Sequence, residues 1–426
     1  MKKILFILFL TAALIIAGCA SDGGGEAGTN TDIDGSTEEA DAAEESKETK
    51  ELKETNENGE EEAEAEEPAD NEPPPPPLSA YIITSPYADV DWASFGQYKA
   101  ALHVHSSNSD GDDNLAAMIE EYYRNDYDIL AITDHDYLTS DWVSARNGLT
   151  RERFNEIAAG SDRNGRGMLQ IPHTNEQSAG EHLNTYFADY NNSSTGMTLE
   201  KNIKAAQSLG GICRINNPGV YTGGKIRGEK GENASKDLEI INKYADLFMK
   251  YPACVGMEIL IKKDSDTLHD RILWDNILKQ TVPQGRYVWG FADDDAHRID
   301  GIGYACNVFV MPENTLENFK DAMYSGSFYA VARASSSRRE VGNSGVGTGP
   351  IPYIIAIEID NEYNAAIAIA AANYTKIQWI SDGRVIAVGE TLNIMAVRNR
   401  VGSYVRANII GPGGIAYTQP FGISLR

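Results

Sequence analysis

The chain has 426 residues, a formal net charge of −26 and 42% hydrophobic residues, which is enough apolar material for one large α/β domain and a smaller module. Much of the negative charge lies in residues 21–77, where 21 acidic residues stand against three lysines. The remainder shows no basic stripe, so the composition argues against a nucleic-acid partner. The four cysteines are widely spaced and predict neither a thiolate metal site nor a disulfide framework.

Residues 1–19 have the layout of a secretory signal peptide: two lysines, an apolar run, and small residues. Their last four residues resemble the bacterial lipobox, which predicts lipidation of Cys19 and an extracytoplasmic lipoprotein anchored in the cell membrane. An uncleaved anchor helix is the alternative, although the run is shorter than the roughly 20 residues that span a bilayer. Residues 20–78 are acidic, proline-rich and poor in large apolar side chains, which predicts a disordered linker.

After Ser79, short apolar runs alternate with helical patterns, which is typical of a largely parallel sheet, open or closed into a barrel. The predicted elements are strand 98–104, helix 115–124, strand 129–133, helix 151–159, strand 168–172, strand 183–187, helix 199–209, strand 211–215, helix 236–250, strand 255–260, helix 267–279, strand 287–291, strand 307–311 and helix 316–324. We assign residues 79–341 to this α/β domain. Past Gly326 the helical patterns stop, and residues 342–426 are predicted to form a small β-sandwich of short strands, 353–359, 366–371, 376–380, 384–388 and 404–410.

Five of the seven histidines lie with acidic residues at the ends of predicted strands. Alternate residues of a strand point the same way, so His103 and His105 can bind one ion. The carboxyl ends of parallel strands meet at the functional face of an α/β protein. Each group alone also fits a capped loop, a hydrogen-bonded histidine or a charged rim, but four together predict a metal centre. The groups are His103-Val104-His105 with Asp110, Asp134-His135-Asp136, Asn175-Glu176 with His182, and Asp293-Asp294-Asp295-Ala296-His297.

The chain contains, in this order, H-x-H with SDG, TDHD, N-E with a following His, and D-x-H. This ordered set resembles the PHP (polymerase and histidinol phosphatase) family of metal-dependent phosphoesterases. The resemblance covers residues 97–332 and implies a distorted (β/α)7 TIM-like barrel. It also implies two or three divalent ions, of which zinc, manganese and iron suit imidazole and carboxylate ligands. Asn217 stands where the family commonly has a histidine and offers only a weaker oxygen ligand. The implied ligands are His103, His105, Glu176 and Asp295 for one ion, Glu176 and His182 (with Asn217) for the second, and Asp110, His135 and His297 for the third.

The resemblance implies a phosphoric ester hydrolase that acts on a small phosphorylated substrate, with a metal-bound hydroxide as the nucleophile. The catalytic candidates are Asp110, His135, Glu176 and His297. Arg298 and Arg333 are candidates for binding the phosphate, and the C-terminal strands are candidates for binding a cell-envelope glycan. Two alternatives stay open: a related metal hydrolase that cleaves a non-phosphate bond, and a degenerate barrel displayed as a binding module.

Overall fold

The computed structural model describes residues 78–192, 194, 196–219, 233–262, 268–333, 340–342 and 345–426. All of them belong to one compact unit, Pro73–Arg426. The predicted signal peptide with Cys19, and all but the last residue of the predicted linker, lie outside the described residues. No helix in these described ranges is long and apolar enough to cross a membrane.

The helices have capping and burial patterns that the sequence explains. In α1 the Asn114 side chain accepts a hydrogen bond from the Ala117 amide, and Leu115, Met118 and Tyr122 lie on its buried face. Thr150 and Thr315 cap two further helices in the same way. The bounds are α1 (Leu115–Arg124), α2 (Arg151–Ala159), α3 (Leu199–Ser208), α4 (Leu238–Lys250), α5 (Leu268–Thr281), α6 (Leu316–Ser325) and α7 (Ile394–Val397).

Within the described residues the strands form three sheets. Their bounds are β1 (Tyr81–Thr84), β2 (Gly96–Ala101), β3 (Ile129–Leu130), β4 (Leu169–Gln170), β5 (Asn175–Gln177), β6 (Leu183–Tyr186), β7 (Ile212–Ile215), β8 (Cys254–Ile261), β9 (Trp289–Asp293), β10 (Ala305–Met311), β11 (Phe328–Ala332), β12 (Tyr353–Asp360), β13 (Ala366–Ala372), β14 (Lys376–Ser381), β15 (Arg384–Val388), β16 (Thr391–Asn393), β17 (Tyr404–Gly411), β18 (Gly414–Thr418) and β19 (Phe421–Leu425).

Two sheets carry the parallel strands. In the largest, β2, β3 and β4 run parallel, and in a second one β7, β8 and β9 run parallel. Isolated bridges between Val104 and Ala296 and between His135 and Glu176 connect the two sheets beside the carboxyl ends of β2 and β3. The mixed α/β class is therefore confirmed. A closed seven-stranded barrel is not, because no described sheet closes on itself.

The C-terminal strands continue the largest sheet. Strand β18 pairs with β11, β17 pairs with β18, and β19 pairs with both β17 and the N-terminal strand β1. Strands β12, β13 and β16 form the separate three-stranded sheet. The predicted β-sandwich of residues 342–426 is thus not confirmed, since part of that segment completes the sheet that contains β2.

A buried ion pair joins the C-terminal strands of the largest sheet to α5. The Arg406 guanidinium on β17 donates to both carboxylate oxygens of Asp275 on α5, at 2.9 and 2.8 Å. The Tyr404 hydroxyl donates to the same carboxylate at 2.7 Å. Because all three side chains are buried, each charge has its partner and the contact is specific. The C-terminal strands and α5 are therefore packed as one structural unit.

Candidate metal centre

Glu176, in β5, lies at the centre of a cluster of imidazoles. Its Oε2 atom is 3.2 Å from His103 Nε2, 3.4 Å from His105 Nε2 and 3.1 Å from His135 Nδ1. Its Oε1 atom is 3.0 Å from His182 Nδ1. Four histidines that are separated by up to 79 positions in the sequence therefore meet one carboxylate.

Asp295 contacts the same cluster from the end of β9. Its Oδ1 atom lies 3.0 Å from His105 Nε2 and 3.5 Å from His103 Nε2. Asp293, the other candidate at this strand end, is engaged elsewhere: it accepts hydrogen bonds from the Leu102 amide and from Arg214. The geometry thus favours Asp295 over Asp293 as the residue that faces the histidines.

Asp110 forms the outer side of the cluster. Its carboxylate lies 3.2 Å from His297 Nε2, 3.6 Å from His135 Nε2 and 3.6 Å from His105 Nδ1. The Asp110 side chain is 54% exposed, whereas those of His105 and Glu176 are buried. The cluster therefore has a buried inner part and an outer part that solvent reaches.

The structure groups these residues somewhat differently from the sets that the family resemblance implies. Potential ligand atoms lie within 4.8 Å of one another in three groups, which are His103, His105 and Glu176; His135, Glu176 and His182; and His105, Asp110, His135 and His297. His105 and His135 each belong to two groups. The side chains that were expected to hold separate ions thus form one continuous centre.

The carboxylates and imidazoles strongly affect one another's ionisation. Burial disfavours the charged form of His103, but the carboxylates of Glu176, Glu258 and Asp295 raise its pKa well above the usual value. Burial likewise opposes ionisation of Glu176, yet the neighbouring imidazoles, His103 first, hold its pKa well below the usual value. The carboxylates therefore favour a positive charge beside them, which a proton on His103 or a bound cation can supply.

The residues fit divalent metal ions by an independent criterion. Several buried ligand atoms have no hydrogen-bond partner among the described residues: Nε2 of His103, both ring nitrogens of His105, Nδ1 of His135, and Oε2 of Glu176. Such atoms are costly to bury unless something binds them. Ligands about 2.1 Å from a tetrahedral zinc ion lie about 3.4 Å apart. The separations of 3.0–3.6 Å match that spacing.

A buried hydrogen-bond network contacts His103 on the side of the ring that faces away from Glu176. Its Nδ1 atom lies 2.7 Å from Glu258 Oε1, and Glu258 Oε2 accepts the Asn217 amide at 3.0 Å. Arg214 donates to Glu258 and to Asp293 and balances their charge. Burial raises the pKa of Asp293 to about 6, although Arg214 favours its charged form. The structure thus places Glu258, within β8, in contact with a predicted metal ligand.

Asn217 and its neighbour Asn216 lie at the end of β7. Asn216 donates through its side-chain amide to Glu176 Oε1 at 2.6 Å, a role that the sequence did not reveal. Asn217 has a left-handed backbone with φ of 41°, and its side-chain oxygen is buried without a hydrogen-bond partner among the described residues. That oxygen is therefore a free acceptor, as a weak metal ligand requires.

The structure does not bring the two predicted phosphate-binding arginines into contact with the cluster. Arg298 pairs with Asp300 at 3.2 Å, and Arg333 donates to the carbonyl oxygens of Gly347 and Gly349. Lys262, which sequence reasoning missed, lies instead with its Nζ atom 2.9 Å from Asp295 Oδ2. The sequence feature that could have indicated Lys262 is its position as a charged residue directly after a buried strand.

Comparisons with known proteins give a partial sequence match and distant structural matches. No family model matches the chain. A segment of 73 residues is 38% identical to the DNA polymerase/3'-5' exonuclease PolX of Bacillus subtilis; it is 17% of this chain and spans only 12% of the length of that relative.

Solved structures give more extended but more distant matches. One is a two-domain protein from Bacteroides vulgatus described as containing a predicted PHP-like metal-dependent phosphoesterase, with a TM-score of 0.40, 14% identity, and coverage of 78% of this chain and 96% of the other. Another is a lesion-specific endonuclease from Pyrococcus furiosus, with a TM-score of 0.34, 14% identity, and coverage of 54% and 56%.

Proposed function

We propose that this chain, which resembles the PHP family, is a metal-dependent phosphoesterase that hydrolyses a small phosphate ester. One observation carries the proposal: imidazoles and carboxylates from distant strand ends converge on Glu176 with unpaired ligand atoms at the spacing of a metal centre. Phosphate esters are anionic and resist attack by water. A centre that holds several cations addresses that difficulty directly.

The predicted ligands fall into two sets: buried residues that would hold an ion away from solvent, and more exposed residues on the side where the substrate binds. His103, His105, Glu176 and Asp295 would hold one ion in the buried part, and Glu176 with His182 would contribute to a second. Asp110, His135 and His297 would hold ions at the outer part. Divalent cations supply Lewis acidity there: they neutralise phosphoryl oxygens and make water a stronger nucleophile at neutral pH.

Exposure indicates the side from which the substrate approaches. The side chains of His103 and Glu176 are 1% exposed, whereas those of His135 and His297 are 23% and 28% exposed. A phosphate ester can therefore reach the outer part without a rearrangement of the core. Asn216 and His182 both contact Glu176 Oε1, which orients the central carboxylate before substrate binds.

The charges around the centre favour a small substrate. Asp110, Asp112 and Asp300 are exposed near its outer part, and Arg298 is paired with two of them. A polyanion such as a nucleic acid would meet these carboxylates along its length. A single phosphate group placed directly at the ions avoids most of this repulsion.

We also propose that the protein is exported and attached to the membrane, and only its N-terminal sequence supports this part. The lysines, apolar run and lipobox-like end of residues 1–19 support lipidation at Cys19 on the outer face of the cell membrane. Incorporation of labelled palmitate into the wild-type chain, and its loss in Cys19→Ala, test this part. A glycan partner for the C-terminal strands stays a prediction.

The test of the activity combines metal analysis with turnover. The purified protein should contain divalent metal and hydrolyse a generic aryl phosphate, and His103→Ala should do neither. His173→Ala is the matched control, because His173 pairs with the exposed Asp189 rather than with the cluster. Bound metal without hydrolysis of any phosphate ester would contradict the proposal, and would favour a binding module or, with turnover of another bond, a different hydrolase.

A further inference from the structure

Lys262 stands at the carboxyl end of β8, next to the proposed metal centre. Its backbone amide donates to the Asp293 carbonyl oxygen at 3.0 Å, which continues the pairing of β8 with β9 by one residue. Its backbone is left-handed, with φ of 52°. This conformation is unfavourable for a lysine and persists where the surrounding structure enforces it, often at functional sites.

The Lys262 ammonium group lies on the solvent side of a predicted metal ligand. Its Nζ atom is 2.9 Å from Asp295 Oδ2, while Asp295 Oδ1 faces His105 at 3.0 Å. The lysine side chain is 50% exposed, whereas that of Asp295 is 7% exposed. An ammonium group has three donors. The contact with Asp295 takes one, so the others are available to a ligand at the mouth of the centre.

The other described cations around the centre contact residues that are not predicted metal ligands, whereas Lys262 contacts Asp295. Arg214 is buried and bonded to Glu258 and Asp293. Arg298 pairs with carboxylates, and Arg146 donates to Asn108. Lys262 is therefore the positive side chain, within the part of the chain that the structure describes, that is best placed to meet an anionic substrate.

We propose that Lys262 binds a non-bridging oxygen of the substrate's phosphoryl group and selects for phosphate monoesters. This inference rests on the proposed function. At neutral pH a monoester carries close to two negative charges and a diester carries one. A fixed ammonium beside the ions stabilises the more highly charged group more strongly. It also compensates for the repulsion that the surrounding carboxylates exert on that group.

The experiment compares Lys262→Met with wild type, both loaded with metal, using inorganic phosphate, an aryl phosphate monoester and the matching diester. We expect phosphate binding, measured by calorimetry, to weaken by roughly 10- to 100-fold, as for loss of a charged hydrogen bond. KM for the monoester should rise by a similar factor and KM for the diester by less, with metal content unchanged. Lys250→Met is the matched control, because Lys250 is exposed and pairs with Glu200 on α3.

Each other outcome overturns the inference in a recognisable way. Phosphate binding equal to wild type in Lys262→Met would show that the lysine does not touch the phosphoryl group. Loss of metal together with phosphate would show that Lys262 only positions Asp295. A metal-loaded wild-type protein that neither binds phosphate nor cleaves either ester would overturn the proposed function itself, and this inference with it.

Discussion

His103 Nδ1 lies 2.7 Å from Glu258 Oε1, and both side chains are fully buried. Because a carboxylate accepts hydrogen bonds, this contact places a ring proton on Nδ1 and directs Nε2 towards Glu176 and Asp295. Glu258 is in turn held by Arg214 and by the Asn217 amide. The orientation of a predicted metal ligand is thus set by a residue that does not face the metal centre.

Replacement of Glu258 should weaken metal binding. Glu258→Gln keeps an oxygen acceptor for His103 but removes the negative charge that makes the imidazole a stronger ligand, so we expect metal affinity to fall about 10- to 100-fold. Competition with a chelator measures the change. Glu200→Gln, at an exposed carboxylate of α3, is the control. Affinity equal to wild type, in a folded Glu258→Gln protein, would rule out this role.

Replacement of a predicted ligand should abolish turnover while the fold survives. His103→Ala or Asp295→Ala removes ligand atoms that face Glu176 and His105, and a hydrolase that depends on its metal then loses catalysis. The measurement is kcat/KM on an aryl phosphate, with circular dichroism as the check on folding. Full rates in these variants would mean that the ligand assignment is wrong.

Metal removal should destabilise the protein. An ion that binds only the folded state adds about 2.7 kcal/mol of stability at a free concentration 100 times its Kd. Protein stripped with a chelator should therefore have a lower Tm, and added zinc or manganese should restore it. The same addition to His103→Ala should give a smaller shift. Equal shifts in both proteins would point to ion binding away from this centre.

The contact between Asp275 and Arg406 should make the C-terminal strands part of one folding unit. Arg406→Ala leaves the Asp275 carboxylate buried without its ion-pair partner, which costs about 3–5 kcal/mol of the free energy of unfolding. Lys250→Ala breaks an exposed pair that solvent screens, and it should cost far less. Urea denaturation measures both. A cost for Arg406→Ala as small as for the exposed pair would argue for an independent C-terminal module.

The sequence predicted elements with strong local signals well. Helix α1 begins after a capping asparagine and ends where the buried spacing stops, and its predicted bounds 115–124 agree with the structure. Strand β15 agrees as well. Strands β1 and β19 were missed, because each is short and is held by pairing with the opposite end of the chain. Long-range pairing leaves little trace in the local composition.

The candidate site shows the same division. Histidines and carboxylates at strand ends indicated the cluster, because residue type and periodicity place them there. Other features depend on how separate strand ends are packed against one another. These are the membership of His105 and His135 in two ligand groups each, and the contact of Lys262 with Asp295. No spacing within one segment encodes those distances.

The most direct test of the metal centre is anomalous scattering from crystals of the metal-loaded protein, recorded on both sides of the metal's absorption edge. We expect peaks among the side chains of His103, His105, Glu176 and Asp295, with further density towards Asp110, His135 and His297. A protein that carries metal by elemental analysis but shows its anomalous peaks elsewhere, or shows no peak at Glu176, would contradict the account.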